Sequence, residues 1–232
     1  MSETYRIGIP IVDKVDLLDV CNAVEIFRWM NGFWKGHTVE APLIGKTETL
    51  DPVTTGNGVV LEPDAWFGDF SETDALDALY VPGGGGDYVT AATKDADLLA
   101  FVAQQAHCAK LVTSVCTGAF ILAAAKLLDG RECTTHWFFH DQMRADYPKA
   151  RLVNGYPRYV KAETAAVVTG GGISSAIDES LYIVSLIAGD EVAKCIQLAI
   201  QYHPSPPFTN GDPCQADFRT WARVMRAWGK PV

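Results

Sequence analysis

The chain has 232 residues and a net charge of −9, with 48% hydrophobic and 20% charged residues, the balance of an ordinary globular domain with room for a sizeable core. Its Lys and Arg residues are scattered along an acidic chain, which argues against nucleic acid and anionic membrane as partners. No apolar run reaches the length of a membrane span, "MSETYRIGIP" has no signal-peptide character, and the six cysteines form no CxxC pair, so a cytoplasmic protein with reduced thiols is expected.

"YRIGIPIV", Tyr5–Val12, reads as a short buried first strand. "DLLDVCNAVEIFRWM" follows as a helix, with Leu18, Cys21, Val24, Phe27 and Met30 expected on its inward face. "HTVEAPLIG" is a second strand, and Asn57-Gly58 between two apolar stretches predicts a small hairpin. "ALDALYVPGGGGD" is a strand ending in Gly83–Gly86, residues 87–107 have helical spacing, and "KLVTSV" is the next strand, running straight into an apolar helix. Beyond "GRECTTHWFFHDQMRADYP" come a short strand near Leu152, a hairpin across "RYVKAETAAVVTGGG", and a long helical stretch broken at Gly189-Asp190. The Pro- and Gly-rich "HPSPPFTNGDPCQADF" is expected to wrap the surface before a last helix, making residues 203–232 an extension of one domain that spans 1–232.

Strands alternating with helices predict an α/β fold whose parallel sheet is covered on both faces. Sites in such sheets lie at the carboxyl ends of the strands. Asp19, the glycine run and Cys116 all fall there.

"SVCTG" has the S-x-C-x-G form of a nucleophile elbow, a turn that strains its central residue and presents the side chain at the sheet edge. Cys116 also starts a helix, whose free N–H groups favour thiolate. The other five cysteines lie on helices, in loops or in the tail, and read as structural. "YVPGGGGD" lacks the Lys-Ser/Thr of a P-loop and the spacing of a dinucleotide fingerprint. Its glycines instead suit close backbone approach to a ligand. Asp19 is either an N-cap, a role for which Asp16 competes, or a proton-shuttling carboxyl near the thiol; Asp13 is the third nearby acid, and spacing alone does not choose among them. Cys133, His136 and His140 mimic metal-ligand spacing without a fourth ligand, so no metal is expected; His136 is alternatively a base for Cys116. "TGGGISSAID" repeats the strand, glycine, helix theme, with Ser174 as N-cap and glycines, Gly171 among them, at the same sheet edge.

Taken together, "YVPGGGG", "LVTSVCTGAFILAAAKLLDGRECTTHW", "VVTGGGISSAID" and "QYHPSPPF" resemble the DJ-1/PfpI superfamily, and within it the isonitrile (isocyanide) hydratase branch. The resemblance runs over nearly the whole chain. It implies a flavodoxin-like three-layer sandwich with a mostly parallel central sheet, a homodimer, no cofactor, and hydration of an isonitrile to an N-substituted formamide. It places the nucleophile on Cys116, the acid on Asp19, backbone N–H donors on Gly84 and Thr117, and a carbonyl facing the cysteine N–H on Ile173. Gly171 and His136 then support the pocket. The chain departs from the branch at Cys21-Asn22-Ala23 and at Asp13-Lys14, which bears on substrate range more than on chemistry.

Two rivals remain at this level. One is another cysteine enzyme of the superfamily, of glyoxalase, deglycase or amidase type, which would favour Glu beside the thiol over Asp19. The other is a non-enzymatic thiol sensor or the ligand domain of a regulator, against which stand the about 30 residues after "QYHP", expected to be too few for a DNA-binding module, and the acidic balance of the chain.

Overall fold

The computed structural model describes residues 2–230. Strand β1 (Glu3–Pro10) runs into helix α1 (Leu17–Phe33), followed by β2 (His37–Glu40) and β3 (Leu43–Gly45). The single second strand expected over "HTVEAPLIG" is thus split at Ala41-Pro42. Proline has no N–H to give a ladder, and the break lets β2 pair with the first half of β1 (Glu3 beside His37) and β3 with its end (Ile9 beside Leu43). The expected hairpin is β4 (Val53–Thr54) and β5 (Val60–Leu61), antiparallel, with Gly58 at φ +82. Then come β6 (Ala65–Trp66), β7 (Ala78–Val81), α2 (Gly86–Ala92), α3 (Ala96–Cys108), β8 (Leu111–Ser114) and α4 (Gly118–Ala124). Asp95 divides the helical span after the glycines by capping α3, its side chain accepting the Asp97 and Leu98 N–H groups. The remainder is β9 (Glu132–Cys133), α5 (His140–Asp146), β10 (Arg151–Leu152), β11 (Tyr159–Lys161), β12 (Val167–Gly170), α6 (Ser175–Ala188), α7 (Asp190–Ala199) and α8 (Phe218–Ala227).

The main sheet has the order β11-β12-β8-β7-β1-β3-β6, with β2 also on β1, and only β11 runs antiparallel to its neighbour. Strands β7, β8 and β12 are buried along their whole length, as a sheet covered on both sides requires. Helices α1, α6 and α7 pack together on one face, and α2, α3 and α4 on the other. This is the three-layer α/β sandwich expected.

Chain order fixes where a site can form. After β1 the chain goes outward to β2, β3 and β6, then returns to lay β7 on the other side of β1. The carboxyl ends of β1 and β7 therefore flank a crevice at the point where strand order reverses. Asp19 follows β1, and the glycine run follows β7.

The face of α1 differs from expectation. Asp19, Val20, Ala23, Ile26, Phe27 and Met30 are buried, while Leu18 is 52% exposed and Cys21 is exposed. The N-cap at Asp16 sets the phase of the helix, and a carboxyl takes the inward position that apolar periodicity assigns to Leu18.

Candidate active site

Cys116 sits at φ +55, a left-handed conformation that costs a non-glycine residue on the order of 1–3 kcal/mol. Its backbone is pinned from both sides. The Cys116 N–H donates to the Gly171 carbonyl at 2.8 Å and the Gly170 carbonyl at 3.2 Å, and its own carbonyl accepts the Thr135 hydroxyl at 2.8 Å. The elbow is close-packed: a Cβ on Gly118 would run into the Val81 carbonyl oxygen, and one on Gly83 would lie 2.5 Å from the Thr117 nitrogen. Glycine is required at both positions because β7 and the start of α4 touch through their backbones.

Among the three acids near the first strand, the structure separates three jobs. Asp16 is the N-cap, accepting the Leu18 N–H at 3.0 Å and the Asp19 N–H at 3.4 Å. Asp13 is tied to the hairpin, accepting the Thr54 N–H at 2.9 Å. Asp19 is fully buried, with Oδ2 accepting the Gly83 N–H at 2.9 Å and its carboxyl in contact with the Cys116 thiol.

Burial, followed by the Asp16 charge, pushes the Asp19 carboxyl up to about 8, and the hydrogen bonds from Gly83 and Cys116 only partly offset them. Burial and then the Asp19 charge push the Cys116 thiol well above its ordinary range, against hydrogen bonds from Thr117. Two expectations are corrected here. Cys116 is 4% exposed, so the elbow holds its side chain in the interior and not at the surface. The helix N-terminus does not leave it a resting thiolate, because desolvation and the neighbouring acid outweigh the N–H groups of one turn. The resting pair is a neutral acid beside a neutral thiol.

The backbone donors are also revised. The Thr117 N–H faces the Cys116 sulfur. The Gly84 N–H, by contrast, donates to the Thr117 hydroxyl at 2.8 Å, and that hydroxyl donates back to the Gly84 carbonyl at 2.7 Å. Gly84 is therefore a strut between the glycine run and the elbow, with no free N–H for a ligand. The carbonyls that meet the Cys116 N–H belong to Gly171 and Gly170 and not to Ile173, since the chain reaches the cysteine at the end of β12, before it turns into α6.

His136 is buried, and burial with the neighbouring His140 pushes its ring down to about 4, so it is neutral. Its Nδ1 accepts the Phe138 N–H at 3.3 Å. The ring packs against Gly172, where a Cβ would come within 2.9 Å of His136 Cδ2, and lies 5.6 Å from the Trp228 ring. His140 bonds through Nε2 to the Thr135 carbonyl, and among the described residues no three His, Cys, Asp or Glu side chains are grouped to hold a metal ion. No helix among them is long and apolar enough to cross a membrane.

Sequence reasoning missed a second buried acid. Glu179 on α6 is fully buried, and a Cβ on Gly170 would run into its carboxyl. Nothing in "SSAIDES" distinguishes it from a solvent-facing Asp-Glu pair; only the phase of α6 against α1 turns it inward.

Residues 5–186 match the DJ-1/PfpI family. The curated isonitrile hydratase of Pseudomonas putida is 35% identical over 208 residues, which cover 90% of this chain and 83% of that one. The HTH-type transcriptional regulator GbdR of Pseudomonas aeruginosa is 27% identical over 82% of this chain, but the match covers only 48% of the regulator. Among solved structures, a THiJ/PfpI family protein from Pseudomonas syringae superposes with a TM-score of 0.83 at 30% identity, covering 97% of this chain and 86% of that chain.

Proposed function

The chain belongs to the DJ-1/PfpI family, and from that premise we propose that it is an isonitrile hydratase, forming an N-substituted formamide from an isonitrile and water. The observation that carries the proposal is the contact between Cys116, held at φ +55, and a buried Asp19 that retains its proton to about pH 8. Hydration of an isonitrile needs a nucleophile and an acid at the same carbon, and a base afterwards.

In the first step the Cys116 sulfur bonds to the terminal carbon while Asp19 delivers a proton to that carbon. The thiol proton passes to the Asp19 carboxylate as the sulfur commits. The product is a thioimidate, R–N=CH–S–Cys116, the net addition of S–H to carbon. Asp19 then protonates the imine nitrogen, and the carboxylate so formed removes a proton from the attacking water. Collapse of the tetrahedral adduct breaks the C–S bond, releases R–NH–CHO and leaves the sulfur protonated. Gly83 holds Asp19 in place through Oδ2, and the Thr117 N–H supports negative charge on sulfur.

The same reading carries a cytoplasmic homodimer that needs no cofactor, with His136 and Gly171 supporting the pocket wall. It is favoured over a thiol sensor because such sensors use accessible thiols of low pKa, and Cys116 is buried and neutral. The test is formamide production from an alkyl and an aryl isonitrile, with Cys116→Ala as control. Formamide from the native protein alone supports the reading, and none from either protein removes it.

A further inference from the structure

Helix α8 (Phe218–Ala227) lies beyond residues 5–186, the part of the chain that matches the family, and it is poorly covered. Of its ten residues only Ala222 is buried. An isolated helix of that length is marginal in water, so packing has to hold it. Its own chain supplies little of that packing. Asp217 caps the helix, accepting the Thr220 N–H at 3.0 Å. Trp228, just past its end, stands edge-on to Phe138 at 4.5 Å and lies 5.6 Å from the His136 ring.

The sequence of α8 describes a face that this packing leaves open. Phe218, Trp221, Met225 and Trp228 recur at i, i+3, i+7 and i+10, the a and d spacing by which one helix lays a seam against another. Phe218 is 73% exposed and Trp228 49%, while Trp221 and Met225 are half-buried. Phe218 stacks with Trp221 at 6.0 Å. Phe208, also exposed, borders the same end of the helix, because it lines one cavity together with Thr220. The exposed apolar residues thus form one strip.

Charge says what covers the strip. In a chain of net charge −9, residues 217–230 hold Arg219, Arg223, Arg226 and Lys230 against the single acid Asp217. Among the described residues no ion pair reaches Arg219, Arg223 or Arg226. The acid stands at the N-terminal end, and Arg226 and Lys230 stand at the C-terminal end. Two copies of α8 laid antiparallel put the Asp217 end of each beside the Arg226 end of the other, with their helix dipoles opposed. A two-fold axis makes both contacts at once, as a self-complementary patch requires. An anionic bilayer also suits Arg beside aromatic residues, but the acidic body that carries this helix is repelled by it.

We propose that α8 is a docking surface for a second copy of this chain, seam to seam and antiparallel about a two-fold axis. The proposal deepens the homodimer reading above by naming its face, and it needs nothing from the chemistry at Cys116.

Sedimentation velocity of the full chain reads the assembly without any substrate. Phe218→Glu puts a charge into the seam at an exposed position and should halve the native mass. Arg226→Glu sets like charges beside Asp217 and should raise the dissociation constant about tenfold, while Arg226→Lys leaves it in place. A native assembly that keeps its mass in both Phe218→Glu and Arg226→Glu would overturn the α8 surface and leave the homodimer standing on another face. A monomeric native chain would overturn both. Halving by Phe218→Glu with Arg226→Glu unchanged would overturn the antiparallel arrangement. Co-flotation of the native chain with phosphatidylserine vesicles, lost in Phe218→Glu, would show that the strip faces a bilayer and would equally overturn the proposal.

Discussion

Asp19 and Cys116 titrate against each other: the Asp19 charge pushes the thiol up, while the thiol's hydrogen bond pulls the carboxyl down without offsetting its burial. Asp19 is thereby an acid at neutral pH for a reason that lies in the fold. In an unfolded chain its carboxyl would titrate near 3.9.

That difference has a sign. The folded pKa, about 8, is raised, so the folded state holds a proton that the unfolded state has lost. The stabilising share of Asp19 is complete below about pH 4 and drains away as pH rises to about 8. Asp19→Asn keeps an acceptor for the Gly83 N–H and removes the charge. It should lose turnover by roughly 10²–10⁴-fold and yet be more stable than the native chain at pH 8, by at least about 1 kcal/mol. Denaturant titration at pH 5 and pH 8 beside the hydration rate checks both halves. A variant that is inactive and also less stable at pH 8 would contradict the buried-acid description.

Thr117 ties the glycine run to the elbow through two hydrogen bonds with Gly84. Thr117→Val keeps the shape of the side chain but leaves the Gly84 N–H and carbonyl without it. A loss of about 1–3 kcal/mol is expected. The adjoining Gly83 N–H holds Asp19, so kcat should fall along with stability. Thermal unfolding and steady-state kinetics on one preparation give the answer, and unchanged kcat would mean that the strut does not reach the acid.

Thiol mapping should follow exposure and not the elbow. Cys195 and Cys214 are exposed, whereas Cys116 is buried and held protonated. Iodoacetamide at neutral pH, read by peptide mass mapping, should modify Cys195 and Cys214 before Cys116. Cys116 labelled first would mean that the pocket opens readily to solvent.

The sheet, the elbow and the glycine runs were legible because each has a local cause: apolar runs of strand length, a strand leading straight into a helix at Cys116, glycines where backbones touch. The hairpin at Gly58 follows from its two-residue turn in the same way. What failed depends on phase and on neighbours far along the chain. Leu18 and Cys21 face out because Asp16 sets where α1 begins, which apolar spacing alone does not reveal. Gly84 loses its free N–H to Thr117, thirty-three positions away. Burial of Cys116 and Glu179 comes from α1, α6 and the sheet meeting around them, so their pKa directions were invisible in the sequence. The choice among Asp13, Asp16 and Asp19 was open from spacing alone and is separated only by hydrogen bonds and burial.

The covalent step is the centre of the proposed chemistry, and intact mass under single turnover tests it most directly. Native protein in excess over an isonitrile, quenched rapidly, should show a species whose mass equals protein plus substrate. It should map to the peptide bearing Cys116, decay as formamide appears, and be absent from Cys116→Ala. Formamide made by Cys116→Ala at the native rate, with no adduct at any time in the native protein, would contradict it.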